Sequence, residues 1–182
     1  MVHLLHNPEV MDKIQQELDT VVGRSQLPSL DDIPYLPYTE ATICEVLRRS
    51  SIVPLGTPHA TLKDTNFAGF DIPKGTTVIP LLYACNMHPD LWTDPDKFEP
   101  ERFLNEQGRV EKPQYFIPFG VGRRICLGDV MARSEIFLFL SSILHVYTLK
   151  CPDGEPLPSL EGEFGSTSKP KPYKVRREFF FL

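Results

Sequence analysis

One cysteine in a glycine-rich loop has the most distinctive chemical setting in this sequence. The loop runs from Phe119 to Gly128 and holds Cys126 together with three glycines, two arginines and an aromatic ring. Glycine lets a backbone pass close to a flat ligand, and neighbouring cations and a helix N-terminus favour a thiolate over a thiol. A long apolar segment follows directly, which predicts a helix that begins just after the cysteine.

A buried, anionic cysteine presented to a large planar group is typical of an axial haem ligand. Cys126 would then be the metal ligand and Arg124 could pair with a haem propionate, while Arg123 could do the same or face solvent. One alternative is a structural cysteine between glycine turns. Another is a small redox or interaction module that uses Cys126 as a reactive thiol.

A second pattern is an ion pair on a predicted helix. Glu45 and Arg48 lie three residues apart, which places their side chains on one helix face. Both residue types are common, so the pair alone is typical of a solvated face. His59 follows this helix and by itself is as consistent with an ordinary exposed position as with a binding role.

The cysteine loop resembles the haem-binding signature of the cytochrome P-450 family. The pattern Phe119-x-x-Gly122-x-Arg124-x-Cys126-x-Gly128 matches that signature at all five fixed positions. The resemblance implies that Cys126 is the proximal ligand of haem b, that Phe119 packs beneath the haem and that Arg124 binds a propionate. It also implies that the loop glycines, Gly120, Gly122 and Gly128, contribute to the cofactor site.

The same resemblance gives the ion pair a partner. In the family, an arginine from a later meander joins the helical pair, and Arg102 in Pro100-Glu101-Arg102-Phe103 matches that position. Such a buried trio carries a net charge of +1, so we expect additional acceptors such as backbone carbonyls. His59 stands where microsomal members have a propionate-binding histidine.

The resemblance implies a haem-thiolate monooxygenase that inserts one oxygen atom of O2 into an apolar small molecule. Electrons would come from NADPH through a flavoprotein reductase on the proximal face, at the cytosolic side of the endoplasmic reticulum membrane. Two alternatives are a truncated, catalytically inactive haem-binding fragment and a haem-thiolate isomerase or dehydratase that needs no reductase. We expect the distal acid and alcohol to lie outside these 182 residues, so no catalytic residue is assigned.

The composition is that of a globular protein, with 41% hydrophobic and 24% charged residues. A net charge of −5 argues against nucleic-acid binding. No CxxC spacing occurs, and Cys44, Cys85 and Cys151 are predicted to be small buried hydrophobes. No run of eighteen apolar residues exists, so the sequence predicts no transmembrane helix and no membrane anchor.

The predicted fold class is mostly α with small β-sheets (α+β), the C-terminal portion of the cytochrome P-450 fold, with residues 1–182 as one partial domain. Three helices are predicted: one capped by Asn7 and closed by Gly23, one over 38–50, and one over 127–147 that is buried on nearly every face. Strands are predicted at 66–70 and 76–79, joined by a turn at 73–75, and a last strand over 175–181. The residues 89–118 between them are predicted to form a surface meander. The segment 52–56 is predicted to pack in the core; the alternative, by resemblance, is that it and the turn at 164–167 border an apolar substrate cavity.

Overall fold

The computed structural model describes residues 1–163 and 165–180 as five α-helices with four two-stranded antiparallel sheets. The helices are α1 (Val2–His6), α2 (Pro8–Val21), α3 (Pro37–Ser50), α4 (Leu82–Met87) and α5 (Asp129–Val146), and short 3-10 helices span Leu30–Tyr35, Pro100–Phe103 and Gly122–Arg124. The strands are β1 (His59–Ala60), β2 (Thr65–Phe67), β3 (Phe70–Ile72), β4 (Thr77–Val78), β5 (Tyr147–Lys150), β6 (Gly162–Glu163), β7 (Lys169–Pro170) and β8 (Arg176–Phe179). This architecture confirms the predicted class of mostly α with small β-sheets.

Helices α2, α3 and α5 form the core that carries the cysteine loop. Helix α2 buries Val10, Ile14 and Leu18, which recur at helical spacing and lie on one face. Gln15 on that face is also buried, and its amide nitrogen donates to the carbonyl of Leu144 at 3.0 Å. Helix α2 is thereby tied to the C-terminal end of α5, whose N-terminal end follows the loop.

The start of α2 follows the prediction except for its cap. Pro8 occupies the first helical position, but the Asn7 side chain does not cap the helix. Its amide nitrogen donates instead to the His3 carbonyl at 2.7 Å, so Asn7 closes α1. The first residues, which the sequence shows only as a short apolar stretch, thus form a helical turn that buries Leu4 and Leu5.

The burial of His3 predicts a pH-dependent stability. Its ring stacks on Phe98 with centroids 5.1 Å apart, and burial, aided by the charge of Arg49, lowers its pKa to about 4. The unfolded chain binds this proton near pH 6.5. Between these values the unfolded state therefore holds more protons than the folded state, so the His3 contribution is complete above pH 6.5 and falls as the pH decreases, by at most about 1.4 kcal/mol per pH unit.

We expect His3→Phe, which keeps the stacking contact, to reduce the loss of unfolding free energy between pH 7 and pH 4.5. Urea unfolding at pH 7, 5.5 and 4.5 measures this loss. His88→Phe serves as control, because the side chain of His88 is half exposed. Equal pH dependence in the wild type and in His3→Phe would contradict the prediction.

The predicted turn at 73–75 is present, with the Thr76 amide donating to the Pro73 carbonyl at 3.3 Å, but the hairpin predicted around it is wrong. Strands β2 and β3 pair with each other and place Phe67 opposite Phe70, so the turn lies at Ala68 and Gly69. These two residues have φ angles of 52° and 86°, the consecutive positive values that a tight two-residue hairpin requires. The segment predicted as one strand is therefore the tip of a hairpin, and β4 pairs with β1 instead.

The predicted burial of the last long helix is wrong on one side. Helix α5 begins at Asp129, two residues later than predicted, and buries Phe137 and Leu144 against the core. Val130 and Phe139 are 72% and 67% exposed, respectively. The helix carries apolar residues on nearly every face, but only one face packs against α2 and α3. In the described part of the chain, no helix combines the length and apolar character needed to cross a bilayer.

The meander over 89–118 contains more core than predicted. It forms one 3-10 turn and an isolated bridge between Leu104 and Val110, and it buries Trp92, Phe103 and Phe116. The sequence gives no indication of α4, a short helix after a proline-bounded strand. The meander is therefore a structural element that contributes aromatic rings to the core, and not only a surface segment.

The predicted last strand is shorter than expected. It appears as β8, which pairs with β5 and places Tyr147 opposite Phe179. Phe181, in the predicted strand, and Phe164, in the predicted turn at 164–167, lie outside the described residues. The paired strands β5 and β8 follow α5 directly and pack at its C-terminal end.

Candidate functional site

The loop before α5 is held by its own backbone. Gly120 and Gly122 have φ angles of 79° and 73°, in the left-handed region that favours glycine. These two turns bring the chain back on itself, and the Cys126 amide donates to the Phe119 carbonyl at 2.9 Å. Cys126 therefore lies in a closed loop three residues before the N-terminus of α5.

The surface around this cysteine is apolar and open. Cys126 is a free, exposed thiol, and its neighbours Val121, Leu127 and Val130 are also exposed, with Leu127 fully so. Among the described residues, Arg124 makes no side-chain hydrogen bond or ion pair. A thiol beside uncovered apolar side chains and an unpaired cation matches a flat apolar group with an anionic edge. The residues present therefore fit a haem.

The other cysteines have different surroundings. Cys44 is buried in α3, and desolvation raises the pKa of its thiol to about 11 although Lys112 and Arg133 act in the opposite direction. Cys85 and Cys151 are only half-buried, so the prediction of burial is correct for Cys44 alone. The Cys151 thiol donates to the Pro156 carbonyl at 3.2 Å. Of the four cysteines, only Cys126 is exposed.

The structure brings Glu45, Arg48 and Arg102 together. Both carboxylate oxygens of Glu45 accept from Arg48, at 2.7 Å from Nε and 2.8 Å from Nη2, in a bidentate pair. Arg102 Nε donates to Glu45 Oε1 at 3.2 Å. Glu45 and Arg48 are fully buried, so the interpretation as a solvated helix face does not hold. We call these three residues the ion network.

Backbone groups complete the ion network. Arg48 donates to the carbonyls of Asn86 and Pro95, both at 2.8 Å, and Arg102 donates to the Thr93 carbonyl at 3.0 Å. The amide of Glu99 donates to Glu45 at 2.9 Å. The two guanidinium groups thus bind the turns of the meander and the end of α4. A second carboxylate, that of the half-exposed Glu99, lies 3.6 Å from Arg102, and together with the carbonyls it offsets the excess positive charge of the buried network.

Sequence reasoning missed the ring that covers this network. Trp92 places its indole 5.1 Å from the Arg48 guanidinium and 6.0 Å from that of Arg102, and its N–H donates to the Cys85 carbonyl at 2.9 Å. Trp92 is also in edge contact with Phe116, with centroids 6.3 Å apart. Trp92 is the chain's one tryptophan and lies in a segment rich in prolines, and this was the sequence signal that could have indicated its structural role.

The remaining predicted residues lie apart from this network. His59 is half-buried in β1 and pairs through the backbone with Val78, and within the described residues its side chain makes no hydrogen bond to the cysteine loop. Ile52 and Leu55, about half exposed, do not pack in the core, contrary to the prediction. The roles of His59, Arg124 and the glycines toward a haem stay predictions.

Comparison with known proteins shows that the chain belongs to the cytochrome P450 family. The family model named Cytochrome P450 matches residues 1–177. A solved zebrafish cytochrome P450 with abiraterone has the same fold, with a TM-score of 0.91 and 39% sequence identity. The alignment covers all of this chain and 42% of the zebrafish chain.

Curated relatives align over nearly the whole chain. Cytochrome P450 18a1 of Drosophila melanogaster is 53% identical over 174 residues, which cover 96% of this chain and 32% of that protein. The chicken steroid 17-alpha-hydroxylase/17,20 lyase is 45% identical over 178 residues, which cover 97% of this chain and 35% of that protein. The chain spans about a third of the length of the curated relatives it matches.

Proposed function

We propose that residues 1–182 form the proximal haem-binding part of a haem-thiolate monooxygenase. The observation that carries this proposal is the exposed Cys126 thiol in the closed loop before α5, in a chain of the cytochrome P450 family. The exposed apolar side chains beside it provide the surface that a porphyrin face would cover. Burial against the haem would place the sulfur in a low dielectric, where its charge acts most strongly on a bound metal.

The cysteine, the phenylalanine and the glycines of the loop each have a role in this proposal. Cys126 supplies the thiolate, Phe119 packs under the ring, and Gly120, Gly122 and Gly128 let the backbone approach it. When bound, haem b would supply the redox chemistry, in which one atom of O2 enters the substrate and the other leaves as water with electrons from a reductase and protons from solvent. The chain's own residues hold the ring, orient the sulfur and exclude water.

The propionates of the haem would be held by cations and donors at its edge. Arg124 is exposed and, among the described residues, unpaired, so it can form a charge-assisted hydrogen bond with a propionate. His59 would donate a second hydrogen bond from the strand after α3. The ion network would act indirectly, because it fixes the meander that leads into the loop.

The proposal extends to the substrate and partners. The exposed apolar segment from Ile52 to Leu55 suits a small apolar substrate. A flavoprotein reductase would bring electrons from NADPH to the proximal face, and the protein would act at the cytosolic side of the endoplasmic reticulum membrane. The steroid 17-alpha-hydroxylase/17,20 lyases among the curated relatives support the proposal of an apolar substrate.

Titration of the protein with haem tests the proposal. We expect bound haem to give a thiolate-type spectrum after reduction and addition of CO. The absence of any haem absorbance would contradict the proposal and favour a redox or interaction module that uses Cys126 as a thiol. Consumption of NADPH with a purified reductase and an apolar substrate separates a monooxygenase from an isomerase and from an inactive fragment.

Arg124→Gln is expected to weaken haem binding by about tenfold, because one charge-assisted hydrogen bond at a partly exposed site contributes roughly 1.5 kcal/mol. Arg123→Gln is the matched control, since Arg123 is the neighbouring exposed arginine of the same 3-10 turn. Haem titration of both variants measures the effect. Equal losses in the two variants would contradict a specific role for Arg124.

A further inference from the structure

Arg133 joins the aromatic rings of the meander to the cysteine loop. It lies on α5, seven residues after Cys126, and its guanidinium carbon is 4.8 Å from the centre of the Phe119 ring and 5.9 Å from that of Phe116. Phe119 is the residue whose carbonyl accepts the Cys126 amide at 2.9 Å. Arg133 therefore contacts the ring of Phe119, and the carbonyl of Phe119 accepts the hydrogen bond from the Cys126 amide.

The charge of Arg133 has no carboxylate partner among the described residues. The nearby acid, Glu40, is paired instead with Lys112 at 2.6 Å. Arg133 also lies within reach of the Cys44 thiol of α3, so the two aromatic rings and that thiol hold its guanidinium together. Cation–π contacts of this type strengthen when water is excluded. The rings are in turn held by Arg133, because the interaction is mutual.

The contacts form a continuous path from the ion network. Trp92, which lies against Arg48 and Arg102, contacts Phe116, and Phe116 contacts Arg133. Arg133 then contacts Phe119, and Phe119 holds Cys126 through its carbonyl.

We infer that Arg133 is a positioning residue, which fixes the Phe119 ring and through it the backbone of Cys126. The inference rests on the proposed function, in that Cys126 is the haem ligand. A ligand sulfur must be held in one geometry, and supporting residues with locked side chains provide this. Arg133 acts through Phe119 and does not itself touch the cofactor in this assignment.

Amide hydrogen exchange of the haem-free protein tests the inference, and this readout does not depend on haem binding. We expect Arg133→Met to accelerate exchange of the Cys126 amide by between about 5-fold and 30-fold, because a partly buried cation–π contact contributes about 1–2 kcal/mol. The amide of Leu144, buried at the other end of α5, is expected to keep its rate within a factor of two. Equal acceleration at both amides would show a merely structural role and overturn the inference.

Two further variants sharpen this test. Arg177→Met is the matched control, since Arg177 lies 5.2 Å from the Tyr147 ring on a distant strand, and it should leave the Cys126 amide unchanged. Arg133→Lys keeps the cation and should restore most of the protection. Exchange as fast in Arg133→Lys as in Arg133→Met, or unchanged exchange in Arg133→Met, would overturn the inference. The haem spectrum tests the proposed function separately.

Discussion

Cys126→Ser is expected to abolish the thiolate-type spectrum of the reduced, CO-bound protein. A serine hydroxyl remains protonated near neutral pH and is a hard, neutral ligand, whereas a cysteine supplies an anionic sulfur. The substitution replaces a sulfur atom by an oxygen atom at an exposed loop position, so the fold should be retained. The spectrum of wild type and variant, each loaded with haem, measures the outcome.

Cys151→Ser is the control for this substitution. Cys151 is half-buried and its thiol bonds to backbone carbonyls, which a hydroxyl can also reach. We expect the control to keep the wild-type spectrum. A thiolate-type spectrum that survives in Cys126→Ser would rule out Cys126 as the ligand, and the assignment of the site would fail with it.

Glu45→Gln is expected to lower the free energy of unfolding by about 3–5 kcal/mol, because it leaves the buried Arg48 without its carboxylate and leaves Arg102 with Glu99 alone. Arg48 is completely buried and the side chain of Arg102 is only 8% exposed, so water cannot solvate the guanidinium groups after the Glu45 charge is removed. The amide nitrogen of glutamine would also face guanidinium N–H groups. Urea unfolding measures the change.

The matched control is Glu163→Gln. Glu163 pairs with Lys169 at 3.1 Å, but both side chains are largely exposed. Exposed ion pairs contribute about 0–1 kcal/mol, so we expect little change in this variant. If Glu45→Gln cost no more than Glu163→Gln, the network would not stabilise the fold in the way its burial indicates.

The candidate site was more predictable from sequence than its supports. The spacing of Glu45 and Arg48 predicts a pair on one helix face, and the family resemblance adds Arg102. The carbonyls of Asn86 and Pro95 could not be predicted, because every residue has a carbonyl and the sequence does not show which ones point inward.

The fold shows the same division between local and non-local information. Helix α2 follows from its periodicity, which depends only on neighbours in the sequence. The hairpin was misplaced because two segments, at Ala68-Gly69 and at Pro73 to Gly75, both have turn chemistry, and the choice depends on pairing between distant strands. The exposed side of α5 could not be predicted, since apolar residues do not indicate what covers them.

The ion network also has a consequence for the order of folding. Glu45 and Arg102 are 57 residues apart in sequence, so their contact requires closure of a long loop. Helix α3 can form early, whereas the meander can attach to it only late, when its turns present their carbonyls. We therefore expect Glu45→Gln to accelerate unfolding far more than it slows refolding, as the two arms of a chevron plot would show. The network would then slow unfolding and so determine the lifetime of the folded state.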